Sequence, residues 1–140
     1  MRFAPDKDFA SYTIRAYQSR QVKILAPVES TAAVTENQAK NDEITLTHSF
    51  IIAPKQLKEN WPPQKIAELT ERHLQAVIDL QPELVLLGTG KSLEFPSPSI
   101  TQSLFTKGIG VEIMDTAAAC RTYNVLMHEG RKVVAALIVN

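Results

Sequence analysis

The feature that most limits how this chain can fold is the order of apolar runs between Glu83 and Val139. Glu83 leads into Leu84-Val85-Leu86-Leu87, a continuous apolar run that Gly88-Thr89-Gly90 breaks. Unbroken runs of this length suit a strand buried on both faces. Ser97-Pro98-Ser99 then carries a helix-start signature, Ile100, Leu104 and Phe105 supply an apolar face, and Gly108 stops it. Ile109 to Met114 reads as a second buried strand ending at Asp115-Thr116. Thr116 is placed to cap a helix from Ala117 to Glu129, Gly130 terminates it, and Val133 to Val139 is a final apolar strand. Strand, helix, strand, helix, strand is α/β order, with at least one parallel pair joined by a right-handed crossover.

The first half is richer in strand signals. Residues 1–11 form a polar lead-in, and the rest, 12–140, reads as a single α/β domain, as suits a chain of 140 residues. Tyr12, Ile14 and Ala16 alternate with Thr13, Arg15 and Tyr17, and a turn at residues 18–21 leads to Val22–Leu25, which predicts a hairpin. Residues 26–43 are the most polar stretch and read as a loop, after which Ile44 to Ala53 resumes strand character. Asn60-Trp61-Pro62-Pro63 opens a long helix. Its apolar stripe is Ile66, Leu69, His73, Val77 and Leu80, and Pro82 ends it.

Composition removes several classes of function. Fifteen basic and fifteen acidic residues cancel, so no bulk field draws the chain to nucleic acid or to anionic membrane. No apolar run approaches the ~20 residues of a membrane-spanning helix. A single cysteine, Cys120, excludes an internal disulfide framework and a multi-cysteine zinc site. His48, His73 and His128 lie on three separate elements without zinc-ligand spacing, so neither a metal nor a cofactor is expected. The start has no signal-peptide core and mixes charges unlike a transit peptide, which with the free thiol predicts the cytoplasm.

Crossover geometry brings Gly88, Thr89 and Gly90 to the same end of the sheet as Asp115 and Thr116, beside helix starts at Ser97 and Thr116. Ligands of open α/β sheets bind outside these strand ends, and helix amino termini favour anions. A small anionic or polar ligand is one reading of this edge. A tight turn with close backbone packing is the other. Established phosphate loops do not fit: a dinucleotide fingerprint needs glycine at Leu93, and a Walker loop needs it at Val85. No catalytic set is signalled. On the last helix Ala119, Cys120, Tyr123, Leu126 and Met127 share a core-facing arc, with Cys120 as an inert core residue. Arg121, Asn124 and His128 recur with Ala117 as a polar stripe, and with Arg131 they form a candidate interaction surface. The alternatives are an ordinary solvated face, or Asn124 as a buried strut tying the helix to the glycine turn.

Several segments carry a resemblance: Val85-Leu86-Leu87-Gly88-Thr89-Gly90; Gly108 through Thr116; Ala119-Cys120-Arg121-Thr122-Tyr123-Asn124-Val125-Leu126; and Glu129-Gly130-Arg131 with Ala135 to Ile138. They resemble a family long classed as a domain of unknown function. That family includes the third assembly factor of mitochondrial NADH dehydrogenase (complex I), an adipogenesis-associated protein and many bacterial and archaeal members. The resemblance is densest from Glu83 to Ile138, reaches back to Tyr12, and suggests a prokaryotic member. It implies three layers on a central mixed β-sheet and brings no established catalytic residues. The expected function is therefore a non-catalytic binding protein of the assembly-factor type, with a protein partner such as a respiratory complex subunit. The alternative is a small-molecule or anion binder, or an enzyme, using the Gly88–Gly90 edge.

Overall fold

In the computed structural model, which describes residues 10–27 and 43–140, the alternating pattern of the first half becomes the expected hairpin. Strands β1 (Thr13–Gln18) and β2 (Gln21–Leu25) pair antiparallel, and β3 (Glu43–Leu46) adds to β2 to complete a three-stranded sheet. The predicted lead-in over 1–11 and loop over 26–43 fall mostly outside the described residues.

A second sheet of five strands runs in the order β5-β4-β8-β6-β7, with β4 (Phe50–Ala53), β5 (Gln56–Lys58), β6 (Leu84–Gly88), β7 (Gly110–Met114) and β8 (Val133–Leu137). The three apolar runs read from the sequence are its parallel part: β6 pairs parallel with both β7 and β8. Strands β4 and β5 join antiparallel, so the sheet is mixed. Helices α1 (Glu71–Ile78), α2 (Pro98–Phe105) and α3 (Thr116–His128) complete the fold.

Continuous apolar strands have work for both faces. Leu84 and Leu86 of β6 join Ala119, Cys120 and Tyr123 of α3 and Ile14, Val22 and Ile24 of the small sheet in one core. Val85 and Leu87 point the other way, to Trp61, Leu74 and Val77 around α1 and Leu104 of α2. Three layers result, with the five-stranded sheet in the middle. Each large apolar side chain buried there stabilises the fold by about 1.5–3 kcal/mol.

Three expectations need correction. The long helix from Asn60 to Leu80 is instead a 3₁₀ turn, Ile66–Glu68, followed by α1. The apolar stripe is real, since Ile66, Leu69 and Val77 are buried. It is divided because Leu69 is extended and Thr70 starts the helix anew, its N–H donating to His73 Nδ1 at 3.1 Å. Trp61 does not open a helix; it is buried, with Nε1–H donating to the His73 carbonyl at 3.1 Å. The strand from Ile44 to Ala53 is also divided, into β3 of one sheet and β4 of the other. Ser49, fully buried at the crossing, fixes it: its carbonyl accepts from Trp61 N–H (3.0 Å) and its hydroxyl from Val139 N–H (3.2 Å). Finally, Asp115 caps α3, accepting from Ala118 N–H at 2.8 Å, while Thr116 is the first helical residue.

Candidate functional site

Parallel pairing of β6 with β7 and β8 brings three strand ends together, and all five residues predicted at this edge meet there. Thr116 is the hub. Its hydroxyl donates to the Ile138 carbonyl (2.7 Å) and accepts from Gly90 N–H (2.8 Å), while its own N–H donates to the Gly90 carbonyl (2.9 Å). Thr89 is buried too. Its N–H reaches the Met114 carbonyl (2.9 Å), and its hydroxyl donates to the Ser92 carbonyl (2.6 Å) and accepts from Glu94 N–H (3.1 Å).

The glycines permit this closeness. A Cβ at Gly88 would lie 2.8 Å from Leu137 Cδ2 and 3.2 Å from the Thr116 Cα, so β6 could not lie so near the start of α3. At Gly90 the backbone has φ +104°, which L side chains rarely adopt, and a Cβ would lie 2.7 Å from Asn140 Oδ1. Thr89, Asp115 and Thr116 each bond within the chain and tie the ends of β6, β7 and β8 to the start of α3. A shallow cleft of about 260 Å³ opens elsewhere, between Thr45, Leu46, Thr47 and His48 on one side and Glu59 and Asn60 on the other. None of these six residues was singled out as a site from the sequence.

The polar stripe of α3 does not stay together. Arg121 is exposed and His128 half-buried, but Asn124 is buried. Its Oδ1 accepts from Ile14 N–H (2.9 Å) and its Nδ2 donates to the Ile14 carbonyl (2.6 Å). A carboxamide presents an N–H and a C=O side by side, as a strand's backbone does, so with one of its two N–H groups and its oxygen Asn124 pairs with β1 as a neighbouring strand would. Asn124 thus leaves the predicted exposed surface, and as a strut it joins α3 to β1 rather than to the glycine turn. Tyr123 supports the same contact, its hydroxyl donating to the Tyr12 carbonyl at 2.8 Å. Arg131 lies at the surface, where Nε donates to Glu83 Oε1 at 2.9 Å. Cys120 is fully buried on the core arc, and burial pushes its thiol up to about 12, which removes the thiolate a nucleophile needs.

The family described as protein of unknown function (DUF498/DUF598) has a model that matches residues 28–138. The chain belongs to that family. Among curated relatives, the mouse NADH dehydrogenase [ubiquinone] 1 alpha subcomplex assembly factor 3 is 32% identical over 128 residues, covering 87% of this chain and 69% of the mouse protein. A 13 kDa major membrane protein of Francisella tularensis is 30% identical over 92 residues, covering 65% of this chain and 75% of that one. A crystal structure of a Bordetella parapertussis protein has the same fold, with TM-score 0.75 and 35% identity over 97% of this chain and 100% of its own. Family members therefore include proteins named as complex I assembly factors. In the described part of this chain, no helix is long and apolar enough to cross a membrane.

Proposed function

We propose that this protein is a non-catalytic binding protein that assists assembly of respiratory complex I or a related membrane enzyme, working from the cytoplasm. The similarity to assembly factor 3, running through 87% of the chain, is the observation that carries the reading. Surface composition supports it. Leu93 (51% exposed) and Phe95 (71%), in the loop after β6, and Phe105 (62%), at the end of α2, face solvent. Large apolar side chains left in water are the usual currency of protein contact.

Affinity capture of the tagged chain from its native cells, with quantitative mass spectrometry, tests this. Complex I subunits should be enriched with the wild-type chain and lost with Phe95→Asp, a change on an exposed side chain that leaves the core intact. Capture that never contains subunits of complex I or another membrane enzyme would refute the reading.

A further inference from the structure

The five-stranded sheet ends in two strands of very different character. At one end β5 has three residues, with Gln56 and Lys58 exposed. A short strand carrying lysine is a standard way to blunt an edge. At the other end β7 is five residues long, Gly110-Val111-Glu112-Ile113-Met114, without proline or lysine. Its pairing with β6 is fixed by two bonds, Gly110 N–H to the Glu83 carbonyl (3.1 Å) and Thr89 N–H to the Met114 carbonyl (2.9 Å). Backbone groups alternate in direction along a strand. Gly110, Glu112 and Met114 therefore bond to β6, and the N–H and C=O of Val111 and Ile113 point outward. β7 is the last strand of the sheet and pairs only with β6, so among the described residues these four groups meet no other strand.

A second copy of the chain is a poor occupant. Two-fold antiparallel pairing that uses all four groups sets Val111 against Ile113 and Glu112 against Glu112. That centre is a non-hydrogen-bonded pair, with Cα atoms about 4.5 Å apart. Like charges so placed are destabilising, and Glu112 is exposed on a strand that carries no basic residue of its own. Shifting the register one way requires Ile109 N–H, which already donates to the Leu104 carbonyl (3.0 Å). Shifting it the other way requires Asp115, where the chain has turned into α3 and the carbonyl accepts from Ala119 N–H (3.0 Å).

We propose that β7 accepts, by strand addition, an extended segment of a partner protein with a lysine or arginine opposite Glu112. Main-chain bonds to Val111 and Ile113 give affinity, the Glu112 pair gives register and sign, and exposed Phe105, next to Leu104 at the entry to β7, gives an apolar contact. This rests on the binding-protein reading above and names the chemistry of the partner.

A displayed library of random ten-residue peptides, selected against the intact protein, tests it. Selected peptides should alternate apolar with other residues, carry a central lysine or arginine, and shift the amide resonances of Val111 and Ile113. Glu112→Lys should weaken them about fivefold, the size of one cross-strand charge pair. Val111→Pro removes an outward N–H that the sheet does not use, so it should keep the fold and weaken binding by a similar factor or more. Peptides that bind both variants as well as wild type, an absence of selected peptides, or wild-type dimers joined through β7 would each overturn the proposal. Complex I subunits captured equally by wild type and Val111→Pro would remove this proposal and leave the assembly reading standing. Selected basic peptides together with no complex I capture would do the reverse.

Discussion

Asn124 gives the sharpest test of the fold. Its carboxamide makes two bonds to Ile14, at 2.9 and 2.6 Å, in a place where Asn124 is 9% and Ile14 1% exposed. Asn124→Ala leaves a buried N–H and a buried carbonyl of β1 without partners. Each unsatisfied group costs about 1–3 kcal/mol, so with partial relaxation the variant should lose about 2–4 kcal/mol. For a domain of this size that lowers Tm by about 7–14 °C. Urea unfolding at unchanged m-value measures the loss, and hydrogen exchange at the Ile14 amide localises it. Asn124→Asp adds a second reading. The carboxylate can still accept from Ile14 N–H, but its other oxygen faces the Ile14 carbonyl. Burial and that carbonyl raise the carboxyl's folded pKa above its unfolded value. The folded state then binds the proton more tightly, so stability is lost as pH rises and returns as pH falls, when the protonated group can donate. Asn124→Ala should show no such recovery. A loss under about 0.5 kcal/mol, the range of an ordinary surface substitution, with unchanged exchange at Ile14 would refute the strand-like pairing.

Other perturbations probe the remaining joints. Thr116→Val removes the acceptor for Gly90 N–H and the donor to the Ile138 carbonyl, and should cost about 2–4 kcal/mol by chemical denaturation, whereas Thr116→Ser should retain most of the stability. Gly88→Ala forces a Cβ to within 3.2 Å of the Thr116 backbone and should lower stability by about 1–3 kcal/mol, with amide shift changes at both strand ends. Cys120 should resist maleimide in the native protein at pH 8 and react on unfolding. With its thiol raised from 9.0 to about 12, stability should fall as pH rises through that interval, by up to about 1.4 kcal/mol per unit, and less so in Cys120→Ala. Cys120→Ser places an unpartnered hydroxyl in the same apolar site and should cost about 1–3 kcal/mol.

The carboxyl-terminal half was legible because its signals are local and agree. Apolar runs at 84–87, 109–114 and 133–139 are each too short for a helix and are separated by glycine-marked turns, which leaves buried parallel strands as the simplest solution. Around Trp61 the pattern departs from the backbone for an instructive reason: Ile66, Leu69 and Val77 keep helical spacing, yet Leu69 itself is extended and the helix that carries Val77 starts anew at Thr70. Spacing reports which residues face the core, not whether one helix carries them. Likewise Ile44 to Ala53 keeps its alternation while changing sheets, because Ser49 meets its hydrogen-bond partners only in the assembled fold. Asn124 had a usable signal, since it lies four residues after Cys120 and three before Met127, at the margin of the core arc. Its partner, Ile14, is 110 residues away in sequence, and no local pattern names it. The open edge of β7 was equally hidden, because strand order within a sheet is a tertiary fact.

The most direct test of the central claim is the amount of assembled complex I in membranes of cells that lack this protein. Native gel electrophoresis with in-gel NADH oxidation measures it. A role in assembly predicts a clear fall, accumulation of partial complexes, and restoration by the wild-type chain but not by Phe95→Asp at equal abundance. Unchanged complex I in the deleted strain, with no other membrane enzyme depleted, would contradict it.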